Sequence, residues 1–478
     1  MSVSKPYKKI LYNAGWLTII RAVADFSGLI LYVVLSRYYG PEGIGIYAFG
    51  YSIALIAYNI ILFGFDDFGI RECSYVSAEE RRVLIGKIVS VQLLLLIIVL
   101  GLFSLYLVIV SPSIEDIIVL FSLLVNLILL AFSKVFFIPS NAQQAMVFPG
   151  LVELLIRLLT VAAVSVATIL FELPIHIAII PYSFFGILLI LVSFKSLEKY
   201  NDSFKLYHNR RELISLIKTV WPFSASLLIY PVYVRAGIII LTFIMGNAAA
   251  GIYAPPQKVF DVGVMPLVLF CYSVYPVLSK YFKQSYEKFE DSVEKYFRAI
   301  FIIAAILLWG IYFIAPLVIV PLLGAEFEGS IVLVEYFAIA TFLYAFSIGF
   351  QRLFLVSNLQ LIRTKFQLIA LFVNLVLNFL LIPFYGPEGA VLAIILSEFS
   401  VNALFIYALH KKNNSLFKKF IVILGEFLIS FGISITPIIL SLFISMSLWY
   451  TISSTIILFI SSIFITGFYR KFDIGTLF

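Results

Sequence analysis

Seven charged side chains interrupt long apolar segments of this chain, and their types and spacing suit the binding of a charged ligand. Six of them form three pairs of opposite charge, three or four residues apart, so each pair can meet along one face of a helix. The pairs are Arg21 with Asp25, Glu153 with Arg157, and Lys258 with Asp261. The seventh, Arg235, lies in an apolar segment that contains no acidic residue.

Two interpretations of these pairs remain open. An ionised side chain at the middle of a bilayer costs about 2.5 to 3.5 kcal/mol on insertion scales, so something must offset that cost. In the first interpretation, each pair only neutralises its own charge. In the second, the pairs line a water-filled cavity, where the cations contact an anionic head group and the carboxylates tune them or exchange a proton or a sodium ion. Arg37 and Arg352 stand near segment ends, where we expect them to act as interface anchors.

The segments that carry these residues have the composition of membrane-spanning helices. Of 478 residues, 62% are hydrophobic and only 12% are charged, about half the roughly 25% charged residues of a soluble domain. Residues 89–110 contain no charge at all, and such a run is long enough to cross a bilayer. This composition excludes a secreted disulfide-rich protein, a nucleic-acid-binding domain and a cytosolic enzyme, in spite of the net charge of +7.

We predict an all-α polytopic membrane protein with about fourteen transmembrane helices. They begin near residues 10, 44, 83, 114, 145, 174, 213, 248, 296, 330, 366, 387, 420 and 448. If both termini are cytoplasmic, 27 of the 33 Lys and Arg residues fall in the cytoplasmic segments. Since cytoplasmic loops retain positive charge, the sequence predicts this orientation.

No motif for covalent chemistry is present in the sequence. It lacks a P-loop, a His-Glu-x-x-His zinc motif, a nucleophile elbow and a cysteine pair with metal spacing. We therefore expect no catalytic residue, no metal and no cofactor. The predicted outer loops are all short, whereas a polysaccharide polymerase or ligase would be expected to place its catalytic residues on a large outer loop. The sequence thus favours a protein that is not an enzyme and that acts within the membrane.

A short internal repeat predicts a two-lobed design. The segment Gly40-x-x-x-x-Gly45-Ile-Tyr-Ala recurs as Gly246-x-x-x-x-Gly251-Ile-Tyr-Ala, six predicted spans later. Because six is even, both copies face the same side, and the repeat is parallel about an axis along the membrane normal. We expect two pseudo-symmetric six-helix lobes, 1–211 and 212–410, followed by two additional C-terminal helices in 411–478.

Four segments resemble a known family of transporters. Residues 35–48 (LSRYYGPEGIGIYA) and 64–72 (GFDDFGIRE) look like the start of polysaccharide-export and O-antigen flippases. Residues 241–254 and 374–390 resemble the turn between helices 7 and 8 and the segment of helices 11 and 12 in the same family. These flippases belong to the multidrug/oligosaccharidyl-lipid/polysaccharide exporter superfamily.

The resemblance implies a flippase for cell-surface polysaccharide synthesis. Such a protein moves a polyprenyl-pyrophosphate-linked oligosaccharide from the cytoplasmic to the outer leaflet of the cell membrane by alternating access. The implied partners are this lipid-linked oligosaccharide, membrane lipids and other polysaccharide assembly proteins, without nucleic acid. An ion-coupled multidrug or small-molecule antiporter of the same fold is the alternative, since a pyrophosphate favours unpaired cations and a cationic drug favours unpaired carboxylates.

The charged residues of the apolar segments then acquire candidate roles. Arg235, Arg21, Arg157 and Lys258 are the candidate substrate-binding residues, and Asp25, Glu153 and Asp261 are the candidate ion-coupling residues. Arg235 is the first choice for the pyrophosphate, because it follows Pro231 by one turn and its planar guanidinium can bind two phosphate oxygens. A structural salt bridge from Arg235 to Asp25 or Glu153 is the competing account.

Overall fold

The structure is a computed structural model in which residues 5–199, 204–441 and 447–465 are described. Within these ranges the chain is helical and contains no β-strand. The helices are α1 (Lys5–Leu62), α2 (Phe65–Cys73), α3 (Ala78–Val110), α4 (Ile114–Phe136), α5 (Ile138–Ala142), α6 (Val147–Ile169), α7 (Ile175–Ala178), α8 (Pro181–Lys199), α9 (Arg210–Met245), α10 (Asn247–Gly263), α11 (Met265–Gln284), α12 (Tyr286–Leu323), α13 (Ser330–Val356), α14 (Gln360–Lys412), α15 (Asn414–Ser441) and α16 (Leu448–Ile465).

Two of the longest helices are each broken by one glycine. Gly40 in α1 has φ 61° and Gly386 in α14 has φ 56°, a left-handed conformation that glycine adopts without a steric penalty. Each is followed by Pro-Glu-Gly, and proline is favoured in the first turn of the helix that restarts. The two Gly-Pro-Glu-Gly segments therefore each end one helix and begin the next.

The described residues account for fourteen apolar helices. Eleven stretches are long and apolar enough to cross a membrane. Two of these, Gly15–Cys73 and Gln360–Lys412, are divided by the breaks at Gly40 and Gly386, so each provides two membrane-length helical segments. The shorter apolar helix Trp449–Ile463 completes the set. The predicted all-α polytopic fold is confirmed.

The chain forms two compact units. Unit 1 comprises residues 1–255 with 322–327, and unit 2 comprises 256–321 with 328–478. These bounds follow packing, whereas the division into 1–211, 212–410 and 411–478 follows the internal repeat and stays a prediction.

Unit 1 is built around α1, which packs against α4, α6 and α9. Two contacts hold α9 in unit 1, one to the residue that follows α1 and one to α3. The Ser224 hydroxyl donates to the Phe63 carbonyl at 2.5 Å, and Lys87 Nζ lies 2.6 Å from Glu212 Oε2 at the start of α9. The hydrogen bond from Lys87 lowers the pKa of the Glu212 carboxyl below its usual range.

Unit 2 has an aromatic core that joins α12, α13 and α15. Phe301 is central, with its ring centroid 4.6 Å from those of both Phe346 and Phe427. A buried ion pair lies on α12: Arg298 and Glu294 are 3% and 6% exposed and lie 3.1 Å apart, and Arg298 also bonds Glu426 at 2.7 Å. The Glu426 contact ties α15 to α12.

Candidate substrate and ion site

Charged residues of α1 and α6 meet across the helices in unit 1. Arg157 Nη2 lies 3.9 Å from Asp25 Oδ1, and the two side chains are 38% and 29% exposed. Arg21, one turn before Asp25, is exposed. The structure therefore pairs Arg157 with a carboxylate of another helix and not with Glu153 on its own helix.

Glu153 has a different partner, a lysine that the distribution of basic residues places in a cytoplasmic segment. Lys134 at the end of α4 places its Nζ 2.6 Å from Glu153 Oε2, with both side chains partly buried. This hydrogen-bonded contact is much closer than the contact of Arg157 with Asp25. The Glu153 carboxylate is thus neutralised, while the Arg157 guanidinium is held loosely.

A cluster of tyrosines lies beside these charges. The hydroxyls of Tyr47 and Tyr182 are 2.9 Å apart and share a hydrogen bond. The Tyr47 ring also contacts Tyr32 and Tyr51, with centroid distances of 5.6 and 6.0 Å. Arg157 is within electrostatic range of the Tyr182 hydroxyl. The cluster gives this part of unit 1 several hydroxyl groups next to a cation.

Sequence reasoning missed the tyrosine cluster, although a signal was present. Tyr47, Tyr51 and Tyr58 are spaced by four and seven residues, which places them on one face of α1. Tyr58 lies within electrostatic range of Glu153. This face therefore runs past both ion pairs.

The other predicted site residues lie on α9 and α10. Arg235 is buried in α9, one turn after Pro231, and α9 continues through that proline. Lys258 and Asp261 are partly buried in α10. Arg235 belongs to unit 1 with Arg21, Asp25, Glu153 and Arg157, whereas Lys258 and Asp261 belong to unit 2. The roles assigned to all seven residues stay predictions.

The two copies of the internal repeat pack directly on each other in unit 1. A Cβ atom at Gly45 would overlap the carbonyl oxygen of Asn247, and one at Gly251 would overlap the carbonyl oxygen of Pro41. Only glycine lets the two backbones approach so closely. The turn between the two halves of α1 and the start of α10 therefore form a backbone-to-backbone contact, here called the glycine contact.

A cavity of about 280 Å³ lies next to the glycine contact in unit 1. Its wall includes the rings of Phe49, Tyr106 and Phe243 and the carboxylate of Asp116. None of the seven predicted site residues lines it. In the described ranges no three His, Cys, Asp or Glu side chains come close enough to hold a metal ion.

Comparison with solved structures identifies the fold. The structure is similar to lipid II flippase MurJ in an inward closed conformation, with a TM-score of 0.72 and 16% identity over 95% of this chain and 98% of that one. It is also similar to an inward-facing multidrug resistance MATE family transporter of the MOP superfamily, with a TM-score of 0.57 and 13% identity over 83% of this chain and 96% of that one. An outward-facing MATE transporter gives a TM-score of 0.53 and 15% identity over 87% of this chain and 97% of that one.

Sequence comparison identifies the family. No curated protein matches the chain. Residues 10–282, more than half of it, match the family described as polysaccharide biosynthesis protein. The chain is thus a multi-pass membrane protein that belongs to the polysaccharide biosynthesis protein family and has the fold of MurJ and the MATE transporters.

Proposed function

We propose that this protein is a transporter, and not an enzyme, that flips a polyprenyl-pyrophosphate-linked oligosaccharide to the outer leaflet of the cell membrane by alternating access. Membership of a polysaccharide biosynthesis family supports the proposal that the substrate carries an oligosaccharide. The fold is shared with a lipid II flippase, which supports the proposal that the substrate is attached to a lipid. The product would serve a cell-surface polysaccharide such as O-antigen, and other polysaccharide assembly proteins would receive it.

The observation that carries the proposal is the loose, partly exposed pair of Arg157 and Asp25. Both residues lie in apolar helices, and their side chains are 38% and 29% exposed. Exposing these charged groups to lipid would carry a large free-energy cost. We infer that the pair lines a water-filled space. At 3.9 Å the two groups are beyond hydrogen-bonding distance, so the Arg157 guanidinium keeps donors available for an anionic ligand.

In this proposal the cations bind the pyrophosphate and the carboxylates serve ion coupling. Arg157, Arg21 and Arg235 offer guanidinium groups in unit 1, and Lys258 of unit 2 is a further candidate for binding the head group. When the substrate displaces the Asp25 carboxylate from Arg157, Asp25 exchanges a proton or a sodium ion. Glu153 and Asp261 are the further coupling candidates.

An ion-coupled antiporter for a cationic small molecule is the second candidate. The exposed carboxylate of Asp25 favours it, since a cationic drug would pair with that group. The close contact of Glu153 with Lys134 weighs against it, because that carboxylate is already neutralised.

The proposed orientation has both termini in the cytoplasm, as the distribution of Lys and Arg predicts. A cysteine placed at exposed Ser113, before α4, should react with an impermeant thiol reagent from outside intact cells. A cysteine placed at exposed Ser415, in the first turn of α15, should react only after permeabilisation. The opposite pattern would reverse the direction of transport. Ser203, in another segment that the distribution of Lys and Arg predicts to be cytoplasmic, lies outside the described residues.

The function is tested with purified protein in vesicles that contain a labelled lipid-diphosphate oligosaccharide. Movement is measured as access of an externally added glycosidase to the glycan. Arg157→Gln should slow flipping at least about tenfold, since a hydrogen bond to a charged group contributes about 1.5 to 3 kcal/mol and 1.4 kcal/mol is tenfold. Arg157→Lys should retain part of the activity, because Lys keeps the charge but not the planar fork.

Arg235 is tested in the same assay. Arg235→Ala should leave little flipping, and Arg235→Lys should retain part of it. The control is Arg71→Gln, which removes an exposed cation bonded to Glu72 at 2.8 Å and should change nothing. Near-normal flipping by both Arg157→Gln and Arg235→Ala would overturn the proposed substrate site. Efflux of a cationic drug that depends on Asp25, without any glycan movement, would establish the antiporter instead.

A further inference from the structure

Two arginines lie at the same end of a helical hairpin in unit 2. Helix α13 ends at Val356 and α14 begins at Gln360. Arg352 is four residues before the end of α13, about 6 Å along its axis, and Arg363 is in the first turn of α14. Their guanidinium groups are close enough to interact electrostatically.

A hydrogen bond between the two helices fixes this arrangement. Gln367 Nε2 donates to Gln351 Oε1 at 3.0 Å. Gln351 directly precedes Arg352, and Gln367 is one helical turn beyond Arg363. The bond therefore sets the register of the hairpin at the level of the two arginines.

The Arg352 side chain is held in place and does not extend freely toward water. Its guanidinium carbon lies 3.9 Å from the centroid of the Tyr272 ring, a cation–π contact with α11. Tyr272 and Tyr275 are also within electrostatic range of Arg363. Among the described residues, Arg352 makes no ion pair with a carboxylate. The sequence predicts an interface anchor at Arg352, and the structure shows that its guanidinium packs on the Tyr272 ring.

Two guanidinium groups at the same end of one hairpin and within electrostatic range repel each other, and an anion with several oxygens relieves that repulsion. Phosphate fits this geometry best, because each guanidinium can donate two parallel N–H bonds to its oxygens. The position of the pair, within about one turn of the helix ends, matches the depth of lipid head groups. Arg363 falls in a segment that the charge distribution predicts to be cytoplasmic.

We propose that Arg352 and Arg363 together bind the phosphate of a lipid head group at the cytoplasmic leaflet. The phosphate comes either from the diphosphate of a polyprenyl carrier or from an anionic phospholipid. This site shares no residue with the candidate substrate site, and its binding property does not depend on the proposed transport function.

Binding is measured directly with the purified full-length chain in a phosphate-free maltoside detergent. One arm titrates farnesyl diphosphate, and a second arm titrates short-chain phosphatidylglycerol. Arg352→Gln and Arg363→Gln should each raise the dissociation constant for at least one of these lipids about tenfold, and the double variant should raise it further. Arg352→Lys should give an intermediate value.

Lys365→Gln is the matched control. It removes one positive charge from the same turn of α14, two residues after Arg363, at an exposed position. It should change the dissociation constant less than twofold. The lipid that binds should also raise the melting temperature of the native protein and not that of the double variant, because a ligand stabilises only the folded state that binds it.

The two arms distinguish the sources of the phosphate. A loss of farnesyl diphosphate binding identifies a polyprenyl carrier, and a loss confined to phosphatidylglycerol identifies a membrane phospholipid. The proposal is overturned if both single variants and the double variant bind both lipids within twofold of the native protein. It is also overturned if Lys365→Gln weakens binding as much as they do. Should Arg352→Gln fail to fold, Arg363→Gln and Arg352→Lys decide the outcome.

Discussion

Replacing Gly45 by alanine tests whether the glycine contact opens during transport. The added methyl group would overlap the carbonyl oxygen of Asn247, so the two backbones must move apart. In the alternating-access cycle proposed above, the glycine contact would open in one of the two states. Gly45→Ala should therefore destabilise the state in which the glycine contact is closed and leave the separated state unaffected.

The size of the effect follows from the nature of the overlap. Adding a methyl group to a tightly packed position costs about 1 to 3 kcal/mol. The obstacle at Gly45 is backbone and not the end of a flexible side chain, which places the cost toward the upper end of that range. A change of about 1 to 3 kcal/mol shifts the ratio of the two states by about 5- to 150-fold.

Accessibility of a reporter cysteine measures this shift. Ala250 is fully buried and lies on the same face of α10 as Asn247 and Gly251. In a background without the two native cysteines, Ala250→Cys should react with an impermeant thiol reagent from outside at least about fivefold faster when Gly45→Ala is present. Gly101→Ala is the control, because no atom lies within 4 Å of the added methyl group there.

One pattern would refute the reasoning. If Gly45→Ala lowers the melting temperature while the labelling rate of the reporter stays at the control value, the contact is structural and does not open. Faster labelling in the Gly101→Ala control would likewise show that the reporter senses general loosening.

Three further predictions concern stability in detergent. Arg298→Ala should lower the free energy of unfolding by about 3 to 5 kcal/mol, because it leaves a buried carboxylate without its partner. The control Lys295→Ala, one turn away, should lower it by less than about 1 kcal/mol. Chemical denaturation measures the free energy of unfolding of both variants. Lys134→Gln should destabilise unit 1 more than the double change Lys134→Gln with Glu153→Gln, because the single change leaves Glu153 without its partner. A double-mutant cycle that finds no coupling energy would show that the ion pair does not contribute to stability. Gly386→Ala should cost about 1 to 2 kcal/mol for the left-handed backbone, and a melting temperature equal to that of the native protein would contradict that strain.

The helices could be predicted from the sequence because their signals are local. A run of apolar residues defines a span without reference to any other part of the chain. The segments beginning at Gly40 and Gly386 carry the residues that end one helix and start the next. The breaks at Gly40 in α1 and Gly386 in α14 therefore fall just before the predicted helix starts near residues 44 and 387.

The partners of the charged residues could not be predicted, because they depend on how helices pack. Spacing along one helix shows that Glu153 can reach Arg157. In the structure, however, Glu153 pairs with Lys134, and Arg157 lies near Asp25. Both observed contacts join different helices. Identifying them from the sequence requires knowing which helices are neighbours and how each is rotated about its axis, and spacing along a single helix specifies neither.

The internal repeat is informative for a reason that the sequence alone did not reveal. Both copies of the nine-residue repeat carry a buried tyrosine, Tyr47 in the first and Tyr253 in the second. Gly45 and Gly251 are subject to a steric requirement, because each faces backbone of the other copy. Because the two copies contact each other through backbone, both copies need a glycine at the point of contact. The repeated glycines therefore mark the place where the two repeats touch, since a side chain at either position would force the two backbones apart.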